Sequence, residues 1–176
     1  MSNSRRLVVC SIGLAMACSA LAWAQDGPPK PGPEHEALGY FVGSWSTKGQ
    51  VHENPMMPAG PFTGKDKCEW FDGKFAVVCK NKGTGPTGEN TGMGIMSYSS
   101  TAGVYTYYGV GSEGMAMTTI PRGTRDGKTW VYNDEGEMGE NRYTIVQVSD
   151  TSYTFKWEVQ GSDGWMAIME GKSTKN

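Results

Sequence analysis

The chain has 176 residues, 16 of them lysine or arginine and 18 aspartate or glutamate, for a formal net charge of −2. No basic run occurs along it, which argues against nucleic acid or an anionic lipid surface as a partner. After the N-terminal stretch, no apolar run is long enough to span a bilayer as a helix.

The N-terminus reads as a leader. Arg5 and Arg6 precede an apolar stretch from Leu7 to Ala20, and Ala22-Trp23-Ala24 has the small-x-small form of a signal-peptidase site. Residues 1–24 are expected to be a signal peptide, with a mature start near Gln25 and a periplasmic or secreted location. Ala15-Met16-Ala17-Cys18 offers a second reading, a lipoprotein attached through Cys18, and Arg5-Arg6 echoes a twin-arginine signal, so the export route stays open. Cleavage would leave 152 residues with a net charge of −4. A domain of that size buries roughly 68–70% of its unfolded surface and folds without a metal or a partner subunit. The oligomeric state is not indicated.

Residues 25–32 (Gln-Asp-Gly-Pro-Pro-Lys-Pro-Gly) read as a flexible tether, and a single domain is expected over 33–176. Pro33 suits a first helical turn, and Glu34 and Glu36 suit its positive end. Leu38, Phe41 and Val42 fall on one helical stripe, and Gly43 stops it. From Ser44 the period changes to two. Ten strands are predicted, near 44–53, 63–71, 74–82, 90–99, 104–110, 114–122, 128–134, 140–149, 152–160 and 165–174. Tyr153, Phe155, Trp157 and Val159 alternate with Thr154, Lys156, Glu158 and Gln160, one buried face against one wet one. Turns at Asp72-Gly73, Ala102-Gly103, Asp126-Gly127 and Asp163-Gly164 join successive strands. The fold class expected is all-β: an antiparallel up-and-down β-barrel of about ten strands with a short N-terminal helix, closed to avoid exposed edges. The one long connection, Glu53 to Gly64, carries three prolines with Met56, Met57 and Phe62, and reads either as a portal or as an irregular crossover.

Beyond the leader only Cys68 and Cys79 remain. They flank the turn at Asp72-Gly73-Lys74, and pairing Trp70 with Val77 sets the two cysteines opposite each other. A disulfide is expected; redox-active thiols favour Cys-x-x-Cys at a helix start, which is absent.

Gly43-Ser44-Trp45, after a short helix and at the first strand of a meander, resembles the Gly-x-Trp signature of the calycins, the lipocalin and fatty-acid-binding superfamily. With Gly49 these residues form the fold signature. The stretches Pro33–Val51, Cys68–Cys79 and Asp163–Lys175 resemble an uncharacterised bacterial domain-of-unknown-function family in that group. The resemblance implies a barrel whose closed end is plugged by Trp45, and no established activity. The arginine that lipocalins carry on the final strand is missing, and Lys172 is offered instead. Haem barrels of the nitrobindin type have Gly-x-Trp-x-Gly-x-Gly and a late histidine. Here Thr47 replaces the middle glycine and both histidines, His35 and His52, are early, so haem is not expected.

Other chemistry is sparse. Gly109-Val110-Gly111-Ser112-Glu113-Gly114 formally matches a dinucleotide fingerprint, yet Met115 to Pro121 is β-prone and no helix follows to hold a pyrophosphate. No serine sits in Gly-x-Ser-x-Gly, and no nucleophile–base pair is visible, so no catalytic residue is assigned and an isomerase or hydrolase ranks behind binding. Asp134, Glu135, Glu137 and Glu140 lack EF-hand spacing. The methionines, Met115 with Met117, Met93 with Met96 and Met166 with Met169, admit a copper-binding reading but fit an adaptable apolar lining better. No cofactor and no metal are expected. The expected function is binding of a small apolar ligand, with Trp70, Tyr105, Tyr107, Trp130, Phe155 and Trp157 lining the interior. The alternative is an envelope protein that works through surface protein–protein contacts.

Overall fold

Pro33 opens α1 (Pro33–Ala37), which tightens into a 3-10 turn over Leu38–Phe41. Gly43, at φ 130°, then turns the chain sharply into the first strand, a conformation that favours glycine. The computed structural model describes residues 29–112, 114, 116–136 and 139–176. The expected signal peptide and most of the tether lie outside the described residues, as do Glu113, Met115, Glu137 and Met138.

Ten antiparallel strands follow: β1 (Gly43–Val51), β2 (Gly60–Trp70), β3 (Ala76–Gly85), β4 (Gly88–Ser99), β5 (Val104–Gly111), β6 (Arg122–Asp126), β7 (Thr129–Gly136), β8 (Gly139–Ser149), β9 (Ser152–Gly161) and β10 (Gly164–Lys175). Each pairs with its neighbours in sequence, and β10 returns to β1, so the sheet is a closed barrel. The hydrophobic alternation that predicted a meander thus leaves no free edge. All of this belongs to one unit, Pro31–Asn176.

Two features differ from the sequence expectation. The sixth strand lies over Arg122–Asp126, not 114–122. Among the described residues between β5 and β6, Ala116 forms an isolated bridge with Val110 and no strand forms; Gly114 takes φ 79° and Pro121 offers no N–H. β3 and β4 meanwhile run on to Gly85 and from Gly88, and β2 begins at Gly60; glycines that read as turn signals sit inside the ladder.

α1 and its 3-10 turn close one end. Leu38, Phe41, Trp45, Val77, Met96, Tyr105 and Trp130 are buried there in one core. Trp45 Nε1 donates to the Phe41 carbonyl at 2.7 Å, which ties the first strand to the cap. Cys68 and Cys79 face each other in the β2–β3 register and are joined by a disulfide. Closing so short a loop stabilises by about 3 kcal/mol at most. Lys172 is exposed, whereas Lys175 faces inward and packs on Trp45.

The opposite end carries the β1–β2 loop. There the loop after β1 is ordered by Asn54, whose side chain accepts from the amides of Met56 and Met57 and donates to the His52 carbonyl.

Candidate functional site

Alternate residues of each strand face the interior. From Trp45 on β1 the inward set runs through Thr47 and Gly49, and the register extends it to Asp66 and Phe62 on β2. It continues to Gly94 on β4, Tyr107 on β5, Tyr132 on β7 and Tyr143 on β8, then to Phe155 and Trp157 on β9 and Gly171 on β10.

Glycine decides how these rings lie. A Cβ on Gly94 would come within 2.6 Å of Tyr107 Oη, one on Gly123 within 2.6 Å of Tyr132 Cδ1, and one on Gly171 within 2.8 Å of Phe155 Cζ. Phe62 covers Gly49 in the same way, with Cζ at 2.5 Å. Each aromatic side chain therefore lies along the wall, over the bare backbone of a neighbouring strand. Asp66, Tyr107, Tyr143 and Trp157 all face inward and are half-buried.

Polar atoms gather midway down this lumen. Thr47 Oγ1 lies 2.7 Å from Ser173 Oγ and donates to Asp66 Oδ2 at 3.4 Å. Burial raises the Asp66 carboxyl above the usual carboxylate range, and the Thr47 hydrogen bond only partly offsets this. Around it stand four phenols. Burial raises Tyr107, with the Asp66 charge adding to the effect. Burial raises Tyr132 and Tyr143 well above the ordinary tyrosine value. Tyr153 is pushed up to about 12, again chiefly by burial. All four are neutral donors at physiological pH. Tyr132 Oη and Trp130 Nε1 are buried without a hydrogen-bond partner among the described residues. Trp157 Nε1, in contrast, donates to Asn141 Oδ1 at 3.2 Å.

Of the six lining residues read from sequence, Tyr107 and Trp157 face inward and are half-buried, and Phe155 is buried against Tyr143. Tyr105 and Trp130 lie deeper, packed together at 4.6 Å with Phe41 against Trp130 at 5.2 Å, and Trp70 packs on Gly39 of the cap. Sequence reasoning placed Tyr132 on the face of Trp130 but missed Asp66, Thr47, Ser173 and Tyr143 as inward-facing residues. The available signal was parity, since Asp66 stands two residues before Cys68 and shares its face.

Elsewhere the chemistry is self-contained. On the outer wall, a trough of about 860 Å³ includes Arg142, Lys156 and Glu158. Its buried Glu158 accepts from Arg142 at 2.8 Å and pairs with Lys156 at 2.8 Å. Met93 and Met96 point to opposite faces of β4, so they do not form a thioether pair. His35 accepts from the Gly32 amide beside the cap, and His52 lies 3.4 Å from Glu170. Among the described residues no three His, Cys, Asp or Glu side chains converge on a metal position. No helix among them is long and apolar enough to cross a membrane.

A family model described as "Protein of unknown function (DUF1579)" matches residues 30–175. No curated protein matches the sequence. Among solved structures, the S-type phycobiliprotein lyase CPES from Guillardia theta superposes with a TM-score of 0.59 at 9% identity, covering 81% of this chain and 92% of that one. Rv2717c from M. tuberculosis gives 0.59 at 9% identity, covering 82% and 98%. A de novo designed fluorescence-activating β-barrel gives 0.46 at 16% identity, covering 80% and 97%. At these identities the likeness is one of fold alone. The chain belongs to the DUF1579 family.

Proposed function

We propose that this DUF1579 member binds a small, largely apolar molecule in its lumen, without a covalent step. The observation that carries the reading is Tyr132 Oη, buried on the inner wall with no hydrogen-bond partner among the described residues. Such a hydroxyl costs about 1–3 kcal/mol while unpaired, and a ligand acceptor would remove that cost. Tyr107 and Tyr143 supply further hydroxyls, Asp66 a carboxyl held by Thr47, and Phe62, Phe155 and Trp157 apolar area. Few polar groups on an aromatic wall is the usual make-up of a small-molecule site.

The Gly43-x-Trp45 corner under a helical cap supports placing the family among the calycins. Export rests on the leader, and the Cys68–Cys79 bridge fits an oxidising compartment. A second reading, work done on the outer wall, is favoured by the exposed apolar side chains of β4 and β5.

Native mass spectrometry of the protein isolated from its own cells tests the binding reading. An excess mass lost on denaturation, and reduced in Tyr132→Phe, is the expected result. An unliganded mass together with failure to take up any compound from a total cell extract would refute it.

A further inference from the structure

Lysine is scattered along the sequence and concentrated by the barrel register. On the outer wall Lys172 of β10 is paired with Lys48 of β1, Lys65 with Lys82 across β2 and β3, and Lys67 with Lys80 in the next outward row. These six of the chain's 16 basic residues are all exposed. Three glutamates share the region: Glu69 takes Lys67 at 2.8 Å, Glu89 takes Lys82 at 3.6 Å, and Glu170 stands near His52. Lys48, Lys65, Lys80 and Lys172 form no ion pair among the described residues. Like charges set directly opposite one another repel, so the pairs Lys172–Lys48, Lys65–Lys82 and Lys67–Lys80 hold a positive field that the fold itself does not use.

The same rows continue into exposed apolar side chains. Lys80 pairs with Met93 and Met93 with Val110; one row on, Val78 pairs with Ile95 and Ile95 with Tyr108. Met93, Ile95, Tyr108 and Val110 are 37–39% exposed, a contiguous apolar strip beside the lysines. Acidic side chains collect elsewhere, with Asp134, Glu135 and Glu140 at the β7–β8 hairpin.

We propose that the outer wall of β1–β5 docks on an anionic lipid bilayer, with the lysines on headgroup phosphates and the Met93–Tyr108 strip at the acyl boundary. Cations beside apolar and tyrosine side chains on one wall match the chemistry of such a surface: lysines for headgroup phosphates, Tyr108 for the interface, aliphatic groups for the acyl boundary. An acidic polypeptide held by charge alone would use the lysines but not the strip.

Co-sedimentation with vesicles tests this, comparing pure phosphatidylcholine with phosphatidylcholine carrying about a third phosphatidylglycerol. The full chain is expected to bind only the anionic vesicles, and high salt to weaken binding. Lys65→Gln/Lys80→Gln should reduce the partition coefficient by roughly tenfold or more. Met93→Ser/Ile95→Ser should reduce it as well, with Lys128→Gln on the β6–β7 turn as the unaffected control. All these side chains are exposed, and thermal unfolding checks that each variant folds. Binding that survives both double substitutions belongs to the apolar stretch 7–20 and overturns the proposal. Binding to polyglutamate with no preference for anionic vesicles, unchanged by Met93→Ser/Ile95→Ser, overturns it in favour of an acidic protein partner.

Discussion

Lys175 Nζ lies 5.0 Å from the centre of the Trp45 ring, its direct cross-strand partner, and donates to the Tyr40 carbonyl at 3.2 Å. One ammonium thus joins the last strand, the first strand and the helical cap at the point where the barrel closes. Cation–π contact and a charge-assisted hydrogen bond are each worth about 0.5–3 kcal/mol. Lys175→Met keeps most of the stem and removes both. It should destabilise the protein by about 1–3 kcal/mol in urea unfolding, whereas Lys172→Met, on the same strand but facing out, should change stability by less than about 0.5 kcal/mol.

Gly94→Ala tests the packing of rings on glycine. A methyl there would meet Tyr107 at 2.6–2.9 Å along the ring edge and hydroxyl, so the phenol must swing off the wall into the lumen. Overpacking of this kind costs about 1–3 kcal/mol. The variant should unfold at lower urea and bind the lumen ligand more weakly. Restored stability in Gly94→Ala/Tyr107→Leu would confirm that the ring is the obstacle.

Asp66 makes stability depend on pH in the unusual direction for a carboxylate. Its folded pKa is raised above the ordinary value of 3.8, chiefly by burial. Its contribution is therefore fully present below that ordinary value and is lost as pH rises through the folded pKa. Asp66→Asn should raise the melting temperature at neutral pH and leave it nearly unchanged at about pH 3. A variant that loses stability at neutral pH would contradict this assignment.

The lumen phenols govern the alkaline limit. Burial raises Tyr107, Tyr132, Tyr143 and Tyr153, so their stabilising contribution holds below the ordinary tyrosine value of 10.0 and is lost as pH rises through the folded values. In an alkaline titration, phenolate absorbance should stop short of the chain's eight tyrosines while the fold persists, then jump on unfolding. Eight ordinary phenols ionising in a protein that keeps its near-ultraviolet dichroism would be the contrary result.

Local signals carried much of this fold. The Leu38–Phe41 stripe ended by Gly43, the alternation from Tyr153 to Val159, and the turn that sets Cys68 against Cys79 depend on neighbours a few residues apart. The interior depended on register, which is long-range. Gly94 and Gly171 have no evident packing role until the strands beside them supply Tyr107 and Phe155. Lys65 and Lys82 read as isolated charges until β2 meets β3. The sixth strand failed locally, because apolar β-formers from Ala116 to Ile120 outweighed the glycines and Pro121 that keep the chain off the sheet.

The central claim is a lumen that holds a small molecule against Tyr132. A crystal structure of the protein isolated from its own cells tests it most directly. The account predicts non-protein density on the inner wall, with an acceptor atom within hydrogen-bond distance of Tyr132 Oη, about 2.5–3.0 Å. A lumen filled by side chains, with Tyr132 Oη bonded to a protein group and no density beside it, would contradict it.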